Sequence, residues 1–220
     1  MTSWLRRQRW LPWLAGAVSL YVAVLLVDLH RSQAQLRAAA EARLLADTRQ
    51  AAAALADFLA AQRRFAAELA QAHPIDVFLA NRALGMSLRY GLAANLFEIE
   101  ADFARRLAQN TVLGARTYQR LVYLDADGAV LADTEPGAPV PTFPAPAADG
   151  SARLALDEVQ QRIVVTAAVR QRGEVRGTIL TVADAALLSR HLAASSEELG
   201  FSQRLVTAAG RGLGAGPGDG

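Results

Sequence analysis

The 220-residue chain is 52% hydrophobic, carries a formal net charge of +2, and takes all 23 of its basic residues from arginine; it has no cysteine. The missing thiols exclude disulfides, thiolate metal sites and cysteine nucleophiles. The arginines alternate with acids rather than forming one basic face, which excludes nucleic acid as a partner, and the length leaves room for a membrane anchor and one domain.

Residues 1–9 hold Arg6, Arg7 and Arg9 with no acid among them, and are expected to stay cytoplasmic by the positive-inside bias. Trp10 to Val27 contains no charged residue. With its edges, residues 10–29, it is long enough for the roughly 20 residues a membrane helix needs. Trp4, Trp10 and Trp13 sit at the expected headgroup layer, and Pro12 falls in the first turn, where a missing N–H is tolerated. The rival is a cleaved signal peptide ending at Ser32-Gln33-Ala34. The apolar run exceeds the 7–15 residues of such a core, and the helical pattern continues through the site. These features predict a span in a bacterial inner membrane, with the bulk of the chain periplasmic.

Residues 30–72 read as one long helix, free of proline and glycine from Gln33 onward and rich in strong helix formers. Leu44, Thr48, Ala51, Leu55, Phe58, Gln62, Phe65, Leu69 and Ala72 follow alternating steps of four and three, the seam of a left-handed coiled coil. The helix is expected to pair with a second copy through residues 44–72. Leu45, Leu59 and Ala66 widen the stripe, as a helix also packed on its own domain requires. His73-Pro74 breaks the pattern. Short helical pieces are expected over Ile75–Ala80 and Asn81–Gly91, and an amphipathic helix over Leu92–Asn110.

The second half alternates strands and turns. Arg120–Leu124 and Ala129–Asp133 flank Asp125-Ala126-Asp127-Gly128, a hairpin turn. Its acids lack the glycine spacing and distal glutamate of a calcium loop. Glu135–Gly150 holds five prolines and is a loop. Strands follow at Ala152–Leu156, Arg162–Arg170 and Val175–Val182, the last two joined by Gln171-Arg172-Gly173-Glu174. Asp184 is placed to cap a helix to about Ala194. Residues 200–220 end in a glycine-rich tail with no strand-and-helix context for a dinucleotide loop. The fold class is α+β with a five-stranded antiparallel sheet.

In order and spacing, the anchor, long helix, FLANRALGMSLRYGL block, VYLDADGAVLAD hairpin and terminal GTILTVAD segment resemble a Cache domain. This is a PAS-like extracytoplasmic sensor module, here most similar to the double Cache input of transmembrane sensor histidine kinases. The likeness covers roughly residues 33–194, taking in most of the long helix and a sensor module expected over 73–199. It implies a small-molecule pocket on one face of the sheet, and a homodimer whose long helices shift when ligand binds. It also implies a second module starting near Gln203, a second membrane span and an output domain, none of which lies within this sequence. Resemblance and strand position together nominate Tyr118, Arg120, Tyr123, Asp133, Arg170 and Asp184 as ligand contacts. Arg120 could fork a carboxylate, and Asp184 could hold an amine.

His30, His73 and His191 have no nucleophile or acid partner at a suggestive spacing, so no catalysis, metal or cofactor is expected. The alternative function is a membrane-tethered coiled-coil assembly protein whose sheet domain only packs.

Overall fold

The computed structural model describes residues 11–88, 91–112, 114–147, 149–188 and 190. Contacts divide the chain into two units, Met1–Ala52 and Ala53–Gly220. The first helix, α1 (Leu11–Ala70), gives its early residues to the first unit and its last turns to the second.

In the first unit the apolar side chains of α1 point in every direction and are exposed, including Trp13, Val18, Leu20, Tyr21, Leu25 and Leu26. Among the described residues no helix is long and apolar enough to cross a membrane. The uncharged segment left after Trp10, residues 11–27, covers only about 25 Å at 1.5 Å per residue. The expected span over 10–29 begins at Trp10, which lies outside the described residues, as do the arginines before it. Leu36, Leu44 and Leu45 are exposed further along.

The second unit is built on the stripe of α1 that the heptad pattern singles out. Gln62, Phe65, Leu69 and Ala72 are buried, and Leu55 and Phe58 pack at the edge of the same core. The later positions of the seam are therefore buried in this chain's own core, Phe65 against Tyr118 of the sheet, and only Leu44 and Thr48, with the half-buried Ala51, remain outside that core. The widening residues Leu59 and Ala66 belong to the core too. An apolar stripe of this width has the geometry of helix-on-sheet packing.

Helix α2 (His73–Ala83) starts with Pro74 in its first turn, and α3 (Leu92–Gln109) follows. The Asn81–Gly91 stretch, expected as a separate helical piece, is instead divided. Its first three residues extend α2, and Leu84–Leu88 turn, with a bridge from Ser87 to Gly91. Ile75, Phe78 and Leu79 of α2 and Leu92, Ile99, Phe103 and Leu107 of α3 join the core. After α3 comes a small ribbon of β1 (Thr111–Val112) and β2 (Ala115–Arg116), too short to show a period in the sequence.

The main sheet contains β3 (Tyr118–Asp125), β4 (Val130–Asp133), β5 (Arg153–Asp157), β6 (Arg162–Gln171) and β7 (Glu174–Asp184). Their spatial order is β4-β3-β7-β6-β5, every neighbour antiparallel, so the first and last strands pair at the centre. The five expected strands all form, within a few residues of their expected ends. Side chains alternate between two faces. Leu121, Tyr123, Ile163, Val165, Ala167, Ile179 and Ala183 meet the helices. Val122, Leu124, Val164 and Leu180 form a second cluster on the reverse, covered by Val140 and Phe143 of the proline-rich loop. With both faces dry, β6 and β7 carry nearly continuous apolar runs instead of an alternating pattern. Gly177 of β7 admits no side chain: a Cβ there would stand 2.4 Å from the Leu124 carbonyl oxygen and 2.7 Å from Tyr123 Cε2.

Candidate functional site

The six nominated residues do not converge on one hollow. Tyr118 and Tyr123 are buried against the helices. Tyr118 stacks on Phe65 with ring centroids 4.2 Å apart. Burial, reinforced by the negative charge of Glu68, raises its phenol well above the ordinary value. Tyr123 is fully buried and meets Phe78 edge to face at 6.0 Å. Burial pushes its phenol up to about 12, against the opposing influence of Arg82. Among the described residues its hydroxyl has no hydrogen-bond partner.

Arg120 and Asp133 do come together, with each other. Arg120 is 4% exposed. Its Nε donates to Asp133 Oδ1 at 2.8 Å and its Nη2 to Asp133 Oδ2 at 2.5 Å. The same guanidinium donates to the carbonyls of Pro139 and Ala138, each at 2.9 Å. The hydrogen bond to Asp133 is the main reason its pKa rises further. The fork nominated for a ligand carboxylate is filled by an internal one, and it pins the proline-rich loop to the sheet.

Arg170 lies exposed at the β6–β7 hairpin, where its Nη1 donates to the Gly173 carbonyl at 3.4 Å. Asp184 ends β7 and accepts the amide hydrogen of Ala186 at 2.8 Å, as its capping role predicts, with Arg190 at 3.9 Å. The rest of the expected helix, residues 191–194, lies outside the described residues, as do His191 and the tail.

The recess with the most open chemistry lies at the end of the sheet where β3 turns into β4 and β6 into β7. Leu79, Arg82 and Ala83 of α2, Ala126 of the β3–β4 turn, and Gln171 and Arg176 of the last hairpin enclose about 280 Å³. A wider recess beside α3, about 420 Å³, is lined by Glu100, Arg116 and Asp133 among others. Its Asp133 carboxylate is already held by Arg120. Neither arginine of the first recess was nominated from sequence. Arg82 lies in the FLANRALG block and Arg176 just past the hairpin turn; no local pattern links residues 94 positions apart.

Among the described residues no group of three or more His, Asp or Glu side chains is placed to hold a metal ion. Other buried polar atoms lack partners among the described residues: Gln62 Oε1 and Thr181 Oγ1 within the core, and Thr166 Oγ1. No family model matches the chain, and no curated protein matches it.

Proposed function

We propose that the chain is the extracytoplasmic ligand-sensing input region of a membrane-bound bacterial signalling receptor, a sensor histidine kinase being the nearest resemblance. The observation that carries the reading is the second unit itself: a helical lead ending in a five-stranded antiparallel sheet, with an open recess where α2 meets the sheet's end. That is the architecture implied by the likeness to a PAS-like sensor. The chain's part is to bind a ligand, not to catalyse.

Support for an anchor comes from the uncharged Trp10–Val27 run behind three arginines. It also comes from the exposure of apolar side chains all round the start of α1, since a helix apolar on every side belongs in an apolar medium. Dimerisation falls to the part of α1 outside the sheet domain's core, around Leu44 and Thr48. The test uses the full chain in detergent micelles. A library of small metabolites is screened for a rise in melting temperature, and light scattering gives the oligomeric state. The expected result is a dimer stabilised by at least one compound. A monomer that no compound stabilises refutes the reading.

One observation favours a second reading. Both sheet faces are filled by apolar side chains, as suits a tethered coiled-coil assembly protein whose domain only packs. Because the chain has no cysteine, Leu44→Cys provides a clean reporter. Disulfide cross-linking at that position changes with ligand in a sensor and stays constant in a scaffold.

A further inference from the structure

α2, the β3–β4 turn and the β6–β7 hairpin approach one another at the end of the sheet and leave a recess of about 280 Å³ between them. Two of its lining residues are cations. The Arg82 guanidinium has no ion-pair or hydrogen-bond partner among the described residues. Arg176 meets Glu174 at 2.5 Å, but the two side chains are 51% and 68% exposed. Exposed pairs of this kind are weak and readily exchanged for another anion. Two acids stand in the adjoining turn, Asp125 and Asp127. Asp125 accepts the amides of Asp127 and Ala129 on its Oδ1, and among the described residues neither acid is ion-paired with Arg82 or Arg176. The recess thus holds two guanidinium forks without a firm internal counter-charge, on two different elements. The side-chain amide of Gln171 stands with them, and Leu79, Ala83 and Ala126 supply an apolar wall.

The unsatisfied polarity continues inward. The Tyr123 hydroxyl, fully buried and without an acceptor among the described residues, lies under the influence of Arg82. It also lies beside Gly177, whose added Cβ would stand 3.4 Å from the hydroxyl oxygen. Buried polar groups in folded proteins are nearly always paired, so an orphaned donor near the unpaired Arg82 and the weakly paired Arg176 marks a place where an acceptor is missing. Arginine is the side chain suited to bidentate recognition of carboxylate and phosphate.

We propose that this recess binds a small dianion, a dicarboxylate or a phosphate, held between Arg82 and Arg176 with Gln171 as a further hydrogen-bond partner. The proposal names the ligand class of the sensor described above and rests on that reading for its purpose; its chemistry stands on the recess alone. Arg82 lies on α2, three residues after the core residue Leu79 and four after Phe78, and Arg176 lies on β7. A bridging anion would draw α2 toward the end of the sheet.

The test is isothermal titration of the full chain in micelles with sodium succinate, inorganic phosphate and, as a neutral isostere, succinamide. Succinate or phosphate is expected to bind one per chain, and succinamide at least about tenfold more weakly, the two free charges being what the arginines read. Binding by both anions indicates a tolerant dianion site; binding by one alone fixes which class it takes. Arg82→Gln and Arg176→Gln each weaken binding by about tenfold or more, with melting temperatures close to that of the parent because both side chains are exposed. Arg116→Gln, in the other recess, leaves the affinity unchanged. The proposal falls if neither anion gives heat up to about 10 mM, a ceiling near the weak limit of specific binding. It also falls if succinamide binds as well as succinate, or if neither arginine variant alters the affinity. A neutral or cationic compound emerging from the metabolite screen, with no anion binding, refutes this inference and leaves the sensor reading intact. An anion that binds here without changing Leu44→Cys cross-linking leaves the inference intact and removes the sensor reading.

Discussion

Replacing Arg120 by alanine removes four hydrogen bonds at once, two to Asp133 and two to the carbonyls of Ala138 and Pro139. The partner left behind is the critical loss. The Asp133 side chain is 7% exposed, so its carboxylate would remain in a poorly solvated place without its cation. Breaking a buried pair by deleting one member costs about 3–5 kcal/mol. The two carbonyls add little, since the loop can turn them to water once released. In a unit of this size about 1 kcal/mol moves the midpoint by about 2–4 °C, so Arg120→Ala should melt about 10–15 °C lower. Urea denaturation of the full chain in micelles measures the free energy directly. Amide hydrogen exchange across residues 135–147 reads the loop, and those amides should exchange markedly faster. The double replacement Arg120→Leu, Asp133→Leu should recover much of the loss, because no charge is stranded. Arg176→Ala, in an exposed pair, should stay within about 1 kcal/mol of the parent. A parent-like Arg120→Ala with a still-protected loop would refute the reasoning.

Three further expectations follow from the packing. Stability should fall at high pH: below about 10, the ordinary tyrosine value, the buried phenols are protonated in both the folded and unfolded states. Above it the unfolded chain ionises while Tyr123, raised to about 12, does not. Tyr123 therefore removes up to about 1.4 kcal/mol per pH unit between those values, with Tyr118 acting in the same direction. Unfolding midpoints measured from pH 8 to 11 should show the decline, and Tyr123→Phe should flatten it. Gly177→Ala forces a Cβ to 2.4 Å from a backbone oxygen and should cost about 3 kcal/mol, the upper range for overpacking; a parent-like melting curve would contradict that contact. Thr181→Val removes a buried hydroxyl that has no partner, and should be neutral or stabilising by about 1 kcal/mol in the same assay.

The strands were legible in the sequence because their signals are local. The Asp-Gly turn at 127–128 and the Arg-Gly turn at 172–173 fix two hairpins, and the β-branched runs between them admit little else. Asp184 as a cap was legible for the same reason: an aspartate reaches an amide two residues on, whatever surrounds it. The boundary between Asn81 and Gly91 was less so. Whether α2 continued past Ala80 depended on the contacts that hold its far end, and these lie in other elements. The ribbon of Thr111–Val112 with Ala115–Arg116 is too short to produce a period.

The site belonged to the tertiary level throughout. Arg120 was visible as a carboxylate fork, but which carboxylate filled it depended on strand pairing that sets Val122 opposite Asp133. The heptad stripe of α1 was equally real as a pattern, yet a stripe of apolar side chains does not specify what covers it. Here this chain's own core buries Gln62, Phe65, Leu69 and Ala72. Composition and periodicity determined that this chain has a long helix, a largely helical first half and an antiparallel sheet, because those rest on near-neighbour geometry. That Arg82 and the weakly paired Arg176 share one recess was decided only when distant segments met, because charge placement is a property of positions in space.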